Sequence, residues 1–523
     1  MRETMNEVVM MQEGTPFMEK LERMIHKAPD PVFFQWMAES VRSFFSTPEI
    51  PKYYQLLKTV DMSRCQPVMP RLMTAWMALL SGDHTGLFRL VEGIKEEELT
   101  IPSEQSFYFA LQALIGYMLN PVEGLKDARR SVELMKGQPQ DLFSANAQLT
   151  LGQLLTSNQH YREAAEAFDQ AEKLFQHLDM PFPAVVALMN QMMNRYQLGE
   201  IEWVMDRCRE TLLQSGRFRD EIPSYWKLLH LPLGMCYYQI NRVHAALRYL
   251  STARECIEEM QLFHLYGLAE VYLFKIHSLL GDRQSMEAIY QEEQKHYRRM
   301  HYEKQKGFHL LCAVMLTDES DDSRILPEIE EAEFLLQQQK TKCSPLLLEA
   351  LTLLALRQKE NNRRAMIDPE LLEDHLRYIK YIGRVPQTQQ VLVHLALLYE
   401  KRGLPHKSRQ TMKEAVMIFQ EHGCVAPFAH LMASDPQTTL VDSHVLRKMN
   451  LVIPEKGPIE PFLLTDRERE VMQLIANGKT NQEIGQTLCD SVRSGVGKNM
   501  IKSQEEARLS MQQALSAAAR NPW

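Results

Sequence analysis

Glycine and proline are scarce, at 22 and 25 of 523 residues. Leu, Met, Ala, Gln and Glu take their place, residues that lose little rotamer freedom in a helix. An excess of basic charge is also missing. Fifty-nine Lys and Arg stand against 67 Asp and Glu, a net charge of -8, which excludes a basic coat wrapped along nucleic acid and leaves only local contact. Paired cysteines are absent too. The eight, Cys65, Cys208, Cys236, Cys256, Cys312, Cys343, Cys424 and Cys489, are scattered singly, with no C-x-x-C and no His at zinc-finger spacing, as reduced thiols of a cytoplasmic protein would be.

No run approaches the roughly 18 apolar residues of a membrane span. The first apolar stretch, interrupted by Glu3, Glu7 and Glu13, is too short and too acidic for a signal peptide. The chain contains neither H-E-x-x-H nor G-x-S-x-G, and its 17 His show no metal spacing. No catalytic role, metal or cofactor is expected.

What the sequence does contain is a repeat. Leu151-Gly152 is followed by Ala164, Phe168 and Ala171. Leu233-Gly234 is followed by Tyr237, Ala246, Leu250 and Ala253, and Leu395-Ala396 by Tyr399, Ser408, Met412 and Ala415. In each copy the small residue of the first stretch precedes that of the second by twelve positions (152 to 164, 234 to 246, 396 to 408). Small residues belong where the two helices of a hairpin approach closely, and large ones fill the groove to the next pair. This is the tetratricopeptide arrangement. The copies stand 82 and 162 residues apart (152 to 234, 234 to 396), two and four units of about 41 rather than 34. Leu80-Ser81-Gly82-Asp83, Leu198-Gly199-Glu200 and Leu280-Gly281-Asp282 each close an apolar stretch with a Gly suited to a left-handed cap and open the next with an acid. About nine such hairpins fit between residues 60 and 430, stacked into a superhelix.

The expected fold is therefore all-α: a helical cap over 1–59, a tetratricopeptide-like superhelix over 60–433, a linker over 434–462 marked by Pro436, Pro454, Pro458 and Pro461, and a small domain over 463–523. The acidic run Asp318, Glu319, Asp321 and Asp322 lacks the Gly and terminal Glu of a calcium loop and reads as a solvated turn. Met189, Met192 and Met193 at helical spacing read as core filler. Tyr225, Trp226, His230 and Tyr238, on or beside a first helix, are candidates for contacting an effector on the concave wall.

The last sixty residues carry the most specific signal. Leu463 to Gly478 opens with a capping box, Thr465 to Glu468, and closes with a Gly. Thr480 and Glu483 repeat the device two residues later, so two short helices meet at a tight join, as in a helix-turn-helix. The run L-T-D-R-E-R-E-V-M-Q-L-I-A-N-G-K-T-N-Q-E-I resembles the opening of the LuxR-type DNA-binding domain. With the repeats and linker, the chain is similar to MalT-like large regulators from about residue 60 onward. Residues 1–59 lack the Gly-rich phosphate loop of the ATP-binding module that precedes the repeats in that family.

The resemblance implies a DNA-binding transcriptional regulator whose superhelix senses a small-molecule or peptide effector. It implies DNA and RNA polymerase as partners and leaves a homodimer or oligomer open. It places Thr480 and Asn481 against the DNA backbone, and Arg493, Ser494, Lys498, Asn499 and Lys502 near bases or phosphates. After Leu488 the pattern departs: Asp490 takes an apolar slot, Gly495 the Val, Val496 the Lys and Lys498 the His of the family's next helix. Two glycines there cost roughly 1 kcal/mol each relative to Ala. From Ser491 onward five basic residues oppose two acids, a tail of +3 that suits phosphate contact. Ser494-Gly495-Val496-Gly497-Lys498-Asn499 fails as a phosphate loop, since Val492 replaces the first Gly and Asn499 the magnesium-binding hydroxyl. The alternative reading is a protein-binding scaffold that has lost DNA binding.

Overall fold

A computed structural model describes residues 16–62, 65, 67–119, 121–216, 224–260, 262–300, 303–317, 330, 344–357, 369–436, 438–449 and 451. The fold is all-α, and no strand occurs among these residues. Four helices come first: α1 (Phe17–Lys27), α2 (Asp30–Glu39), α3 (Val41–Phe45) and α4 (Ile50–Leu57). They bury Leu21, Phe34, Met37, Phe44 and Tyr53 together with Leu72, Met73 and Trp76 of the next element. Phe17 meets Phe44 edge-on at 4.8 Å between ring centroids, the offset that ring quadrupoles prefer.

Antiparallel hairpins follow: α5 (Val68–Leu80) with α6 (His84–Glu92), α7 (Pro102–Leu119) with α8 (Pro121–Leu134), and α9 (Leu142–Ser157) with α10 (Tyr161–His177). Next come α11 (Pro181–Gln197) with α12 (Ile201–Gly216), α13 (His230–Gln239) with α14 (Val243–Glu259), and α15 (Phe263–Leu280) with α16 (Arg283–Met300). Helix α17 (Glu303–Leu316) follows, and the acidic run 318–322 lies outside the described residues. The series resumes with α18 (Pro345–Arg357) and α19 (Pro369–Tyr381), then α20 (Val385–Lys401) and α21 (Pro405–His422).

The repeat offsets have a direct physical basis. A Cβ on Gly152 would stand 2.7 Å from the Phe168 ring, and one on Gly234 would stand 2.6 Å from Leu250. These are the same sixteen-residue pairs (152 to 168, 234 to 250), and in the third copy Ala396 and Met412 are both buried. Full burial of Phe168 or Leu250 stabilises each hairpin by roughly 1.5–3 kcal/mol. Gly82, Gly199 and Gly281 adopt φ of +75°, +78° and +69°, the left-handed caps that their spacing predicts. Gln159 and Asn241 fill the equivalent position in other hairpins at φ +66° and +56°. Asp83 accepts a hydrogen bond from Gly86 N at 2.8 Å and Asp282 one from Ser285 N at 3.1 Å, caps worth about 1 kcal/mol each.

The chain closes on itself. The α11–α12 turn meets the α19–α20 turn, so that a Cβ on Gly199 would touch Val385 at 2.7 Å. Tyr378 Oη donates to Gln159 Oε1 at 2.5 Å, Arg384 Nε donates to Gln197 Oε1 at 3.3 Å, and His422 Nδ1 lies 3.3 Å from Gly199 O. The hairpins from α9 to α21 thus make one turn around a lumen.

One expectation is corrected at the end of this turn. Part of the stretch assigned to a linker folds: α22 (Ala426–Ser434) is followed by α23 (Ser443–Met449), with Val441 and Met449 buried among Leu376, Val391 and Phe428. Val441, Val445 and Met449 fall at a spacing of four, a helical period that the flanking prolines at 436 and 454 mask in the sequence.

Candidate functional site

A cavity of about 1340 Å³ occupies the lumen, larger than the roughly 300–1,000 Å³ of drug-sized ligand sites. Its aliphatic wall includes Leu268, Val271, Leu279, Leu353, Val393 and Leu397. Set into that wall is a polar cluster drawn from five hairpin elements: Tyr238 of α13, Tyr272 and Lys275 of α15, Glu349 of α18, His394 of α20 and His430 of α22.

Lys275 and Tyr272 share a face of α15 because they are three residues apart, and Tyr196 reaches Tyr272 from α11. Lys275 Nζ donates to Glu349 Oε2 at 2.7 Å, with side chains only 9% and 12% exposed. Tyr196 and Tyr272 hydroxyls lie 2.9 Å apart, and Gln239 Nε2 donates to Tyr196 Oη at 2.6 Å. Tyr238 Oη stands 2.8 Å from His430 Nε2. The backbone ties the same walls together, Val425 N donating to Gln239 O at 2.7 Å.

Burial works against the charged form of both imidazoles. Burial, reinforced by the nearby Lys275 ammonium, lowers His430 to about 3. Burial likewise lowers His394, with Glu349 opposing and Lys275 adding to the effect. Burial alone would raise the Glu349 carboxyl, but Lys275 and the two histidines hold it below the usual range. The cluster sets one carboxyl and one lysine amine beside two imidazoles, whose ring nitrogens can accept or donate.

Of the wall residues singled out in the sequence, Tyr238 lines this cavity. Tyr225 and Trp226 lie on a short 3-10 turn, Ser224–Leu229, packed against the core, and Tyr225 meets Phe182 edge-on at 5.7 Å. His230 is buried against Tyr249 at 5.1 Å, and burial, then Lys227 and Arg248, lower it to about 4. Tyr237, on the repeat's own slot, stacks on Tyr249 at 5.1 Å. Lys275, Glu349, His394 and His430 form no pattern in the sequence, because each lies on a different helix and 155 residues (275 to 430) separate the first from the last. Thr480, Asn481, Arg493, Ser494, Lys498, Asn499 and Lys502 lie outside the described residues.

Among the described residues no group of His, Cys, Asp and Glu could hold a metal, and no helix is long and apolar enough to cross a membrane. Cys65, Cys208, Cys236, Cys256, Cys312 and Cys424 are buried free thiols. Burial pushes Cys65, Cys256 and Cys424 up to about 12, so their nucleophilic thiolate forms are suppressed.

Residues 463–491 match the family described as bacterial regulatory proteins, luxR family. The chain thus carries a LuxR-family helix-turn-helix module after its superhelix. No curated protein matches the sequence. Solved structures with similarity include the Rap protein complexed with Competence and Sporulation Factor, at 12% identity and a TM-score of 0.42, covering 78% of this chain and 99% of that one. They also include the APC/C hetero-tetramer Cut9–Hcn1, at 12% identity and a TM-score of 0.28, covering 85% and 98%.

Proposed function

We propose that the chain is a transcriptional regulator that binds DNA through its LuxR-type module and senses an effector, small molecule or peptide, held in the superhelix lumen, in the manner of MalT-like regulators. The observation that carries the reading is the family match at residues 463–491. The lumen supports the sensing half, since a cavity with convergent polar groups in an aliphatic wall is the usual form of a ligand site. Connectivity supports the coupling. Helix α22 lines the cavity through His430 and Leu431, continues into the docked α23, and residue 451 lies only twelve positions before the module at 463. Tyr238 would touch the effector, with His230, Tyr225 and Trp226 supporting the wall behind it.

On DNA, Thr480 and Asn481 would hold a phosphate at a helix N-terminus, while Arg493, Ser494, Lys498, Asn499 and Lys502 would face bases or flanking phosphates. RNA polymerase is a further partner in this reading.

One observation favours a second reading. The family match ends at residue 491, where the sequence also leaves the pattern with Gly495 and Val496. A superhelix that binds protein segments and no longer binds DNA fits that ending. Fluorescence anisotropy with labelled duplexes at low and high salt separates the two. A regulator shows affinity that differs between sequences and falls steeply with salt. Equal weak binding to any duplex, unchanged by deletion of residues 491–523, would leave the scaffold.

A further inference from the structure

The Lys275–Glu349 pair crosses from α15 to α18 with both side chains nearly buried. Such a pair recovers its desolvation cost poorly, and apolar groups of the same volume hold two helices together at least as well. Its setting suggests another use. Glu349 lies within electrostatic reach of His394 and His430 as well as Lys275, and of the Tyr238 and Tyr272 hydroxyls, all of them lining the same cavity. A carboxylate, two imidazole rings and two tyrosines on one cavity wall make an acceptor set for a protonated amine, which offers three N–H donors and accepts nothing.

The ammonium now in that position belongs to the protein itself. The other cations of the lumen wall are engaged elsewhere. Arg357 donates to the carbonyls of Val314 and Thr317, and Arg384 to Gln197 Oε1. Asp435, the other carboxylate of the lining, lies in the exposed segment after α22.

We propose that Glu349 is the receptor for the protonated amine of the effector, and that Lys275 is a tethered stand-in which that amine displaces. The inference rests on the effector reading above and names the effector's chemistry: a primary amine on a polar or aliphatic body, as in a polyamine, an amino sugar or the N-terminus of a short peptide. The exchange conserves charge, one ammonium leaving as another arrives, so Glu349 is never buried alone. The cavity of about 1340 Å³ gives the released lysine side chain room to swing clear. A tethered group competes at an effective concentration of the order of millimolar, so removing the tether strengthens binding of a free amine.

Isothermal titration of the full chain tests this with spermidine, glucosamine and trialanine, each beside its N-acetylated form. Lys275→Met is expected to bind a free amine at least tenfold more tightly than the unsubstituted chain, and Glu349→Gln at least tenfold more weakly. The acetylated compounds should not bind, and whichever arm binds identifies the source of the amine. The double variant Lys275→Met with Glu349→Gln leaves no lone buried charge and should fold without binding any amine; circular dichroism checks the fold. The idea is overturned if acetylated and free forms bind equally, if Lys275→Met gains nothing, or if no amine binds any variant. DNA affinity is measured separately. An amine that binds as described without changing it leaves this site standing and removes the regulatory reading.

Discussion

Substituting Gly234 and Gly267 by alanine should move local stability in opposite directions. Both glycines lie inside helices, α13 and α15, where Ala is intrinsically better by roughly 0.8–1 kcal/mol. At Gly267 the new methyl meets nothing within 4 Å, so Gly267→Ala should keep that gain. At Gly234 it would stand 2.6 Å from Leu250 Cγ and 3.2 Å from Leu250 N. Leu250 is fully buried and its backbone cannot retreat, so overpacking of roughly 1–3 kcal/mol opposes the gain. The net expectation is a loss of about 1 kcal/mol at Gly234, within a range of about 0–2. A repeat array of this length need not unfold in one step, so the assay is hydrogen exchange resolved by peptide across α13–α14 and α15. Exchange through local opening should speed up about fivefold over α13–α14 in Gly234→Ala and slow several-fold over α15 in Gly267→Ala, at 1.4 kcal/mol per factor of ten. Adding Leu250→Ala to Gly234→Ala should cost less than the sum of the two single changes. Protection gained at both glycines would refute the close-approach account of the repeat.

Other expectations bear on packing, pH and coupling. Burial and then the neighbouring Glu270 raise Glu293 from 4.5 to about 7, so the folded state holds a proton that the unfolded chain releases. Its contribution is complete below pH 4.5 and lost as pH rises through 7, and Glu293→Gln should add about 3 kcal/mol at pH 8 but little at pH 4, read from melting temperatures across pH. His430, lowered to about 3, has the opposite sense: protonation in the unfolded chain favours unfolding as pH falls below 6.5, and His430→Gln should flatten that acid limb. Met449→Ala, which removes a side chain buried with Phe428, should cost about 2–5 kcal/mol and raise exchange over 438–449. Thr480→Ala should weaken DNA binding uniformly across sequences, whereas Lys498→Ala should lower the salt slope by about one; anisotropy that changes for neither would favour the scaffold.

The parts legible in the sequence are those set by short-range geometry. Gly152 and Gly234 reveal hairpin contacts because their partners always stand sixteen residues on. Gly82, Gly199 and Gly281 reveal caps because only a residue tolerant of positive φ ends a helix that way. The lumen cluster has no such short-range pattern. Lys275, Glu349, His394 and His430 converge only once the array has curved through a full turn, and within each helix they look like ordinary interruptions of an apolar face. Tyr225 and Trp226 look like wall residues by spacing, but the 3-10 turn that carries them faces the core cluster. Helix α23 was hidden for a different reason: proline at 436 and 454 marks where a helix cannot run, and says nothing of the seventeen residues between.

The join of the α9–α10 and α11–α12 turns to α19 and the α19–α20 turn changes how this solenoid should fold. In an open array each hairpin answers only to its neighbours, and stability is approximately a sum of local terms. Here Gln159 and Tyr378 are 219 residues apart in sequence yet hydrogen-bonded, a contact whose loop-closure entropy is met only after the intervening hairpins have stacked. Assembly therefore has a last step, the shutting of a ring. Damage to any hairpin between α10 and α19 should be felt at that distant joint as well as next door.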